Sequence, residues 1–391
     1  MLTELFVQKF SVTVKIGNFF SYPLIWDDKR GKLYVSQWHQ ANAVVVHILF
    51  CFITLVTFGH MMNFRKSDVG IFNFLQVVFY ALTAFSIGGC LFSFQSEDLA
   101  RSWSCGILYG RNFFARYNLS ATSPITLHFN QAFLKITRPA NFIINILPFL
   151  ISCHFLIFPR HPVHFPNVYP RNSYPFLFIF HIYPPIAFFG LAHYAFLAKT
   201  VFQAYAGLIL LILPLIRHEL RPTTRGIKCS TELRHHPAEI AVEYRALQLI
   251  MKEISLVFGN YLPAIQGVFG QLAISSGCIV IGGSGKGGDR ISSFIIMVCV
   301  PFAVLSWAVM LSCAANVDRK SRECIQSWKR GGVEAGWMRD EVRYMAKFRK
   351  SCKPIDFNCQ GMMRITKKTV IKFIQGIVRG IFRMLLALKK K

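Results

Sequence analysis

The chain has 391 residues, 53% of them apolar and 38 of them Phe, and its mean hydropathy is positive. Only 16% are charged, against roughly 25% in an ordinary soluble domain, which argues against a water-soluble globule. The net charge of +26 comes from Lys and Arg placed between hydrophobic runs, the pattern of membrane topology and not of nucleic-acid binding.

The N-terminus, MLTELFVQKFSVTVKIGNFF, lacks a continuous apolar core and a small-residue cleavage site, so the first span is expected to act as a signal anchor. About 20 apolar residues suffice to cross hydrocarbon as a helix. Helices are expected near 38–60, 69–95, 139–158, 176–216, 254–282 and 291–315, with a further hydrophobic segment near 365–388. The uncharged stretch 117–134, YNLSATSPITLHFNQAFL, is polar and holds Pro124, and it reads as a loop.

The fourth segment is long enough for a hairpin, with Lys199-Thr200 its only polar break. Charge arbitrates. If the segment is one element, then 1–37, 96–138, 217–245 and 317–353 share a side and hold 27 Lys and Arg, while the opposite loops hold six. Splitting it would place 17 positive residues on the wrong side. By the positive-inside rule it is one long helix and the N-terminus is cytoplasmic. The sequon Asn118-Leu119-Ser120 then stays in the cytoplasm, unmodified. The fold class expected is an all-α membrane bundle of seven transmembrane helices with an extracellular C-terminus. Its plan is helices 1–6 over 1–316, then a basic cytoplasmic loop and a last hydrophobic helix over 317–391.

The Gly-rich IGGSGKGGDR, 281–290, has Val280 and Gly287 where a phosphate loop needs Gly and Ser or Thr, so it reads as a short hairpin. The 11 cysteines form no CxxC pair, and those in spans (Cys90, Cys153, Cys278, Cys299, Cys313) read as small apolar residues. Of the 12 histidines, His161 and His164 fall on the outer side and His235-His236 on the inner. They are too scattered for a di-iron site, so no metal and no cofactor is expected. His154, His181 and His193 lie inside spans, where polar side chains face a cavity or the bundle interior; a hydrogen-bonded packing histidine is the plainer alternative. Pro148, Pro184, Pro185 and Pro214 interrupt the helical ladder in a region crowded with aromatics, including Phe176, Phe178, Phe180 and Phe189. Tyr80, Phe85, His154, His181, Tyr183, Phe188, His193 and Tyr194 are the candidate ligand pocket, apolar with a few polar groups; Phe-rich packing against lipid is the alternative. Every Asp and Glu lies in a loop or at a span edge, which weighs against a proton- or sodium-coupled transporter. No residue set marks a catalytic site.

The stretch RYMAKFRKSCKPIDFNCQGMMRITKKTVIKFI leads into the last hydrophobic segment. It resembles the C-terminal signature of the arthropod chemoreceptor superfamily, the insect odorant and gustatory receptors. The residues that carry the resemblance are Cys352-Lys353-Pro354, Ile355, Phe357, Gly361 and Thr366 or Thr369. The resemblance implies a plasma-membrane, ligand-gated cation channel built as a homo- or hetero-tetramer, some members needing a co-receptor subunit. It further implies a small organic ligand among the second, third, fourth and sixth helices, and cytoplasmic loops that hold the subunits together. The last helix, around Gln375 and Gly376, would face the pore. Gustatory members often carry Thr-Tyr, five apolar residues and Gln-Phe here, whereas this chain has Val370 and Gly376 in place of the Tyr and the Phe, with one residue fewer between.

Lys372, Gly376, Arg379, Gly380 and Arg383 fall on one face of that segment, opposite Ile, Phe and Leu. A pore-lining helix would turn them to water; an interfacial helix would lay them on anionic headgroups. Two other functions compete with the channel. One is a membrane enzyme acting on lipid or sterol through His154, His161 and His164. The other is a receptor signalling through 317–353.

Overall fold

A computed structural model describes residues 4–64, 69–117, 124–159, 164–169, 173–222, 232–259, 261–281, 290–359 and 363–389. The glycosylation sequon, His161, Gly361 and all but the ends of the Gly-rich hairpin lie outside them.

Helix α1 (Glu4–Phe19) buries Phe6, Phe10 and Val14, one residue per turn, and leaves Val12 and Ile16 exposed. Phe10 meets Trp103 and Trp26 edge-on at 6.2 and 6.1 Å. Ser21 and Gly31 both take a φ of 61°. After Ser21, β1 (Leu24–Asp27) and β2 (Lys32–Val35) pair antiparallel, Leu24 opposite Val35, with Gly31 in the turn between them. The hairpin turn is held by Asp27 Oδ1, which accepts from the amides of Lys29 and Arg30.

Helices α2 (Gln37–Phe64) and α3 (Val69–Phe94) pack together. Helix α4 (Ser96–Arg116) follows α3 after a single-residue break and carries the hairpin. Helix α5 (Pro124–Ile157) is the partner of α6 (Tyr174–Pro214). The expectation of a loop over 117–134 is therefore corrected from 124 onward. Pro124 opens α5, where proline's missing N–H and fixed φ cost nothing, and the polar residues after it are the helix's first turns.

The single long fourth element is present as 41 residues with Pro184 and Pro185 in its interior. At 1.5 Å per residue it runs about 60 Å, twice the hydrocarbon thickness, so α6 serves both a membrane part and a part beyond it. A π turn (Leu215–Glu219) ends it. Then come α7 (Glu232–His235), α8 (Pro237–Phe258), α9 (Tyr261–Ile281), α10 (Arg290–Glu334) and α11 (Arg339–Ser351). Strands β3 (Asn358–Cys359) and β4 (Met363–Arg364) lead into α12 (Lys367–Lys389). The membrane run of α10 was expected to end near 315; the helix continues to Glu334, through residues too charged for lipid.

The chain is a multi-pass helical membrane bundle. Among the described residues four helices are long and apolar enough to cross: Gln37–Phe64, Leu75–Phe94, Asn130–Ile157 and Tyr174–Glu219. Val45, Ile48, Phe52 and Leu55 on α2, and Phe142, Phe149 and Leu156 on α5, point outward, an exterior suited to lipid rather than water. Beyond this region α4, α8, α11 and the far half of α10 close around a core of Tyr244, Trp328, Trp337, Met345 and Phe357. Tyr244 stands edge-on to Trp328 at 5.1 Å.

Candidate functional site

The eight residues expected in the pocket do not form one cluster. Three of them join a buried polar group across α2, α3 and α6. His47 Nδ1 lies 2.8 Å from the Tyr194 hydroxyl and Nε2 lies 2.9 Å from Ser93 Oγ. His193, fully buried, donates from Nδ1 to the Phe20 carbonyl at 2.7 Å, which fixes Nδ1 as its protonated nitrogen. Its buried Nε2 has no partner among the described residues. Phe50 and Phe85 pack on the Tyr194 ring at 4.7 and 5.4 Å.

A second group joins α5 to α6 and the 3₁₀ turn Phe165–Val168. His154 Nδ1 is 3.1 Å from His164 Nε2, and Phe155 contacts His164, Phe180 and Tyr183 with ring separations of 4.8, 5.3 and 5.1 Å. Phe188 pairs with Phe149 at 5.2 Å along the same seam. Tyr80 sits apart, packed on the Val77, Leu272, Ile279 and Val300 cluster of α3, α9 and α10. His181 is exposed, beside Phe180.

Sequence reasoning missed His47, Ser93 and Phe50. The one signal was His47 itself, a histidine within an apolar run. Among the described residues no three His, Cys, Asp or Glu side chains gather as metal ligands would.

Helix α12 presents three faces, not two. Phe373, Ile377 and Gly380 face α9; Lys372, Gln375, Arg379 and Arg383 are exposed on a second side; Ile371, Ile374, Val378 and Phe382 are exposed on a third. A groove of about 370 Å³ runs between α9 and α12, lined by Pro263, Gln266, Gly270, Gln271, Lys372 and Gly376 among others.

The segment before α12 is clamped. Tyr244 donates to the Lys353 carbonyl at 3.2 Å, as does Gln248 Nε2, and the Ile355 amide donates to Ser321 Oγ at 2.6 Å. Ile355 and Phe357 are buried, Phe357 against Tyr205. Burial pushes the Cys352 thiol up to about 11. Arg364 bridges Asp318 of α10 and Asp356, each at 2.7 Å, and burial raises the Asp356 carboxyl above its usual range. Thr366 precedes α12, and its amide donates to Thr369 Oγ1 at 3.1 Å.

No protein-family model and no curated protein matches the chain. Solved structures do. The insect olfactory receptor OR5 from Machilis hrabei, in complex with eugenol, superposes with a TM-score of 0.69 over 98% of this chain and 97% of that chain, at 10% identity. The fold is that of an insect olfactory receptor. Another structure of the same receptor gives 0.66 over the same shares, also at 10% identity. The olfactory-receptor fold thus extends over nearly the whole chain, including the clamped segment and α12, where the Cys352-Lys353-Pro354 resemblance lies.

Proposed function

We propose that the chain is a chemosensory receptor subunit of a ligand-gated cation channel in the plasma membrane, opened by a small, largely apolar organic molecule. The observation that carries this reading is the likeness in fold to an olfactory receptor over 98% of the chain. On this reading the N-terminus is cytoplasmic, seven helices cross, and α12 crosses last to leave the C-terminus outside. The segment 317–364 anchors four subunits, alone or with a co-receptor, and α12 of each surrounds the pore. Support comes from α12 itself. In the single chain it leaves both a basic and an apolar face uncovered, and a four-fold assembly gives the first to water and the second to neighbours or lipid.

The ligand is assigned to the α3–α5–α6–α10 interior, where Tyr80, His154, Tyr183 and Phe188 stand, while Phe85, His193 and Tyr194 brace α2 and α3 against α6. Opening follows if the ligand binds the open arrangement more tightly than the closed one. Epitope tags at both ends, labelled in intact and then permeabilised cells, test the topology; whole-cell current on odorant application, with and without a co-receptor, tests the function. An inside N-terminus, an outside C-terminus and ligand-evoked current are expected. Both ends inside would remove the pore.

A further inference from the structure

Lys199 is only 9% exposed, yet it is a cation within a membrane-crossing helix. Its ammonium is 3.3 Å from Asn145 Oδ1 on α5 and 5.3 Å from the centre of the Phe196 ring. Gln203, one turn along α6, donates from Nε2 to Asn141 Oδ1 at 3.3 Å, and its buried Oε1 has no partner among the described residues. A buried ammonium with three donors is therefore met by one neutral amide oxygen, next to an acceptor that has nothing to accept. Burial of an uncompensated charge is costly, so this seam is built for something anionic.

The surroundings point the same way. Lys9 is an exposed cation on α1, which packs against α6. Arg138, Asn141 and Asn145 share a face of α5 at helical spacing, and Arg138 and Asn145 are exposed. None of Lys9, Lys135, Arg138 and Lys199 pairs with an Asp or Glu among the described residues. Depth is consistent. Arg138 lies 19 residues from the Ile157 end of α5, about 28 Å at helical rise, close to the thickness of hydrocarbon. Arg138 thus reaches the far interface, and Lys199, beside Asn145, lies about two turns inside it, within a lysine's snorkelling range. Val12 and Ile16 on the outer face of α1 are exposed and apolar, which suits contact with acyl chains.

We propose that the seam between α1, α5 and α6 binds an anionic, hydroxyl-bearing phospholipid of the cytoplasmic leaflet. The phosphate sits on Lys199, with Lys9 and Arg138 at the rim, and a headgroup hydroxyl donates to Gln203 Oε1. Basic pockets between helices on the cytoplasmic side are the usual form of such sites. The assignment to a leaflet rests on the orientation proposed above; the site itself does not depend on gating.

The test is native mass spectrometry of the purified full chain from micelles holding equal phosphatidylinositol and phosphatidylcholine. Retention of phosphatidylinositol is expected to exceed that of phosphatidylcholine, and Lys199→Met is expected to lower it about tenfold, the worth of one charge-assisted contact. If Lys199→Met does not fold, the exposed pair Lys9→Gln with Arg138→Gln decides, with a loss of about fivefold or more. Equal retention of both lipids would overturn the site, as would variants that hold phosphatidylinositol like the parent. Equal competition by chain-free glycerophosphoinositol would overturn the lipid as occupant. Because no current is measured, a silent channel leaves the site standing, whereas an extracellular N-terminus overturns its leaflet.

Discussion

His47 and Tyr194 stand 147 residues apart in the chain, and their side chains meet at 2.8 Å inside the bundle. Gly89 of α3 makes the meeting possible. A Cβ there would lie 2.5 Å from His47 Cε1 and 2.7 Å from Tyr194 Cε1, whereas a Cβ on Gly88 would meet nothing within 4 Å. Both rings are held on two sides, so neither can give way cheaply. Gly89→Ala is expected to cost about 1–3 kcal/mol through overpacking. Gly88→Ala should be neutral or stabilising by up to about 1 kcal/mol, since alanine lowers the helix's entropy cost. Thermal unfolding of the two purified variants checks the contrast, and equal midpoints would refute the arrangement.

Beyond the membrane region, α4 and α8 are joined through Glu243. Its buried carboxylate accepts from Arg116 at 2.8 Å, from Tyr109 at 2.9 Å and from Tyr117 at 3.3 Å. Burial first, and then this carboxylate, raise both tyrosines well above the usual phenol range. Arg116 is largely exposed and can return to water, so the loss on Glu243→Gln falls mainly on the charged hydrogen bonds from the two phenols. The expected cost is about 1.5–3 kcal/mol, read as a lower denaturation midpoint. An unchanged midpoint would mean that these hydrogen bonds contribute nothing to the α4–α8 contact.

The parts of the fold legible in the sequence are those that composition and charge control. The 41-residue α6 followed from where Lys and Arg lie on either side of it, despite Pro184 and Pro185. The start of α5 was not legible, because Pro124 is a turn residue in one context and a helix opener in another, and only the following turns decide. The site was the least legible part. Helices α2, α3 and α6 are apolar nearly all round, so periodicity does not say which face is inward. His193 and Tyr194 could be picked out as polar residues in spans, but their partners His47 and Ser93 sit on other helices, where nothing local marks them. Lys372, Arg379 and Arg383 share an exposed side, as their spacing implies, but Gly380, read onto the same face, packs against α9; the separation of the apolar residues into a packed face and an exposed one likewise depends on α9.

Cys352, in the motif that leads to α12, is half-buried with Gln248 Nε2 3.6 Å from its sulfur. Burial pushes its thiol up to about 11, which favours the protonated form at neutral pH. At pH 8 about one thiol in a thousand is then the reactive thiolate. Iodoacetamide labelling of Cys352 at pH 8 is expected to run about a hundredfold slower than that of an ordinary exposed thiol. The rate should rise about tenfold per pH unit up to pH 10. Peptide mass spectrometry against exposed Cys105 as the internal standard measures it. Equal rates at pH 8 would mean that the thiol is not buried as described.

Two glycines of α12 separate its packing role from its proposed role at the pore. Gly380 receives Ile274 of α9, and Gly277 of α9 receives Ile381, with Cβ-to-Cδ1 separation of 2.6 Å if a side chain were added at Gly277. Gly376, one turn before Gly380, would meet nothing within 4 Å. Gly277→Val and Gly380→Val are therefore expected to push α12 off α9 and destabilise the subunit by about 1–3 kcal/mol. Gly376→Val should leave the unfolding midpoint within about 0.5 kcal/mol of the parent. If four copies of α12 surround a pore, Gly376→Val narrows it and lowers unitary conductance. Lys372→Gln with Arg379→Gln removes charge that opposes cations and raises conductance. Single-channel recording of these variants, alongside their unfolding curves, distinguishes the two kinds of effect. A folded Gly376→Val channel with parental conductance, together with a charge-neutralised one that conducts no better, would mean that α12 does not line the conduction path.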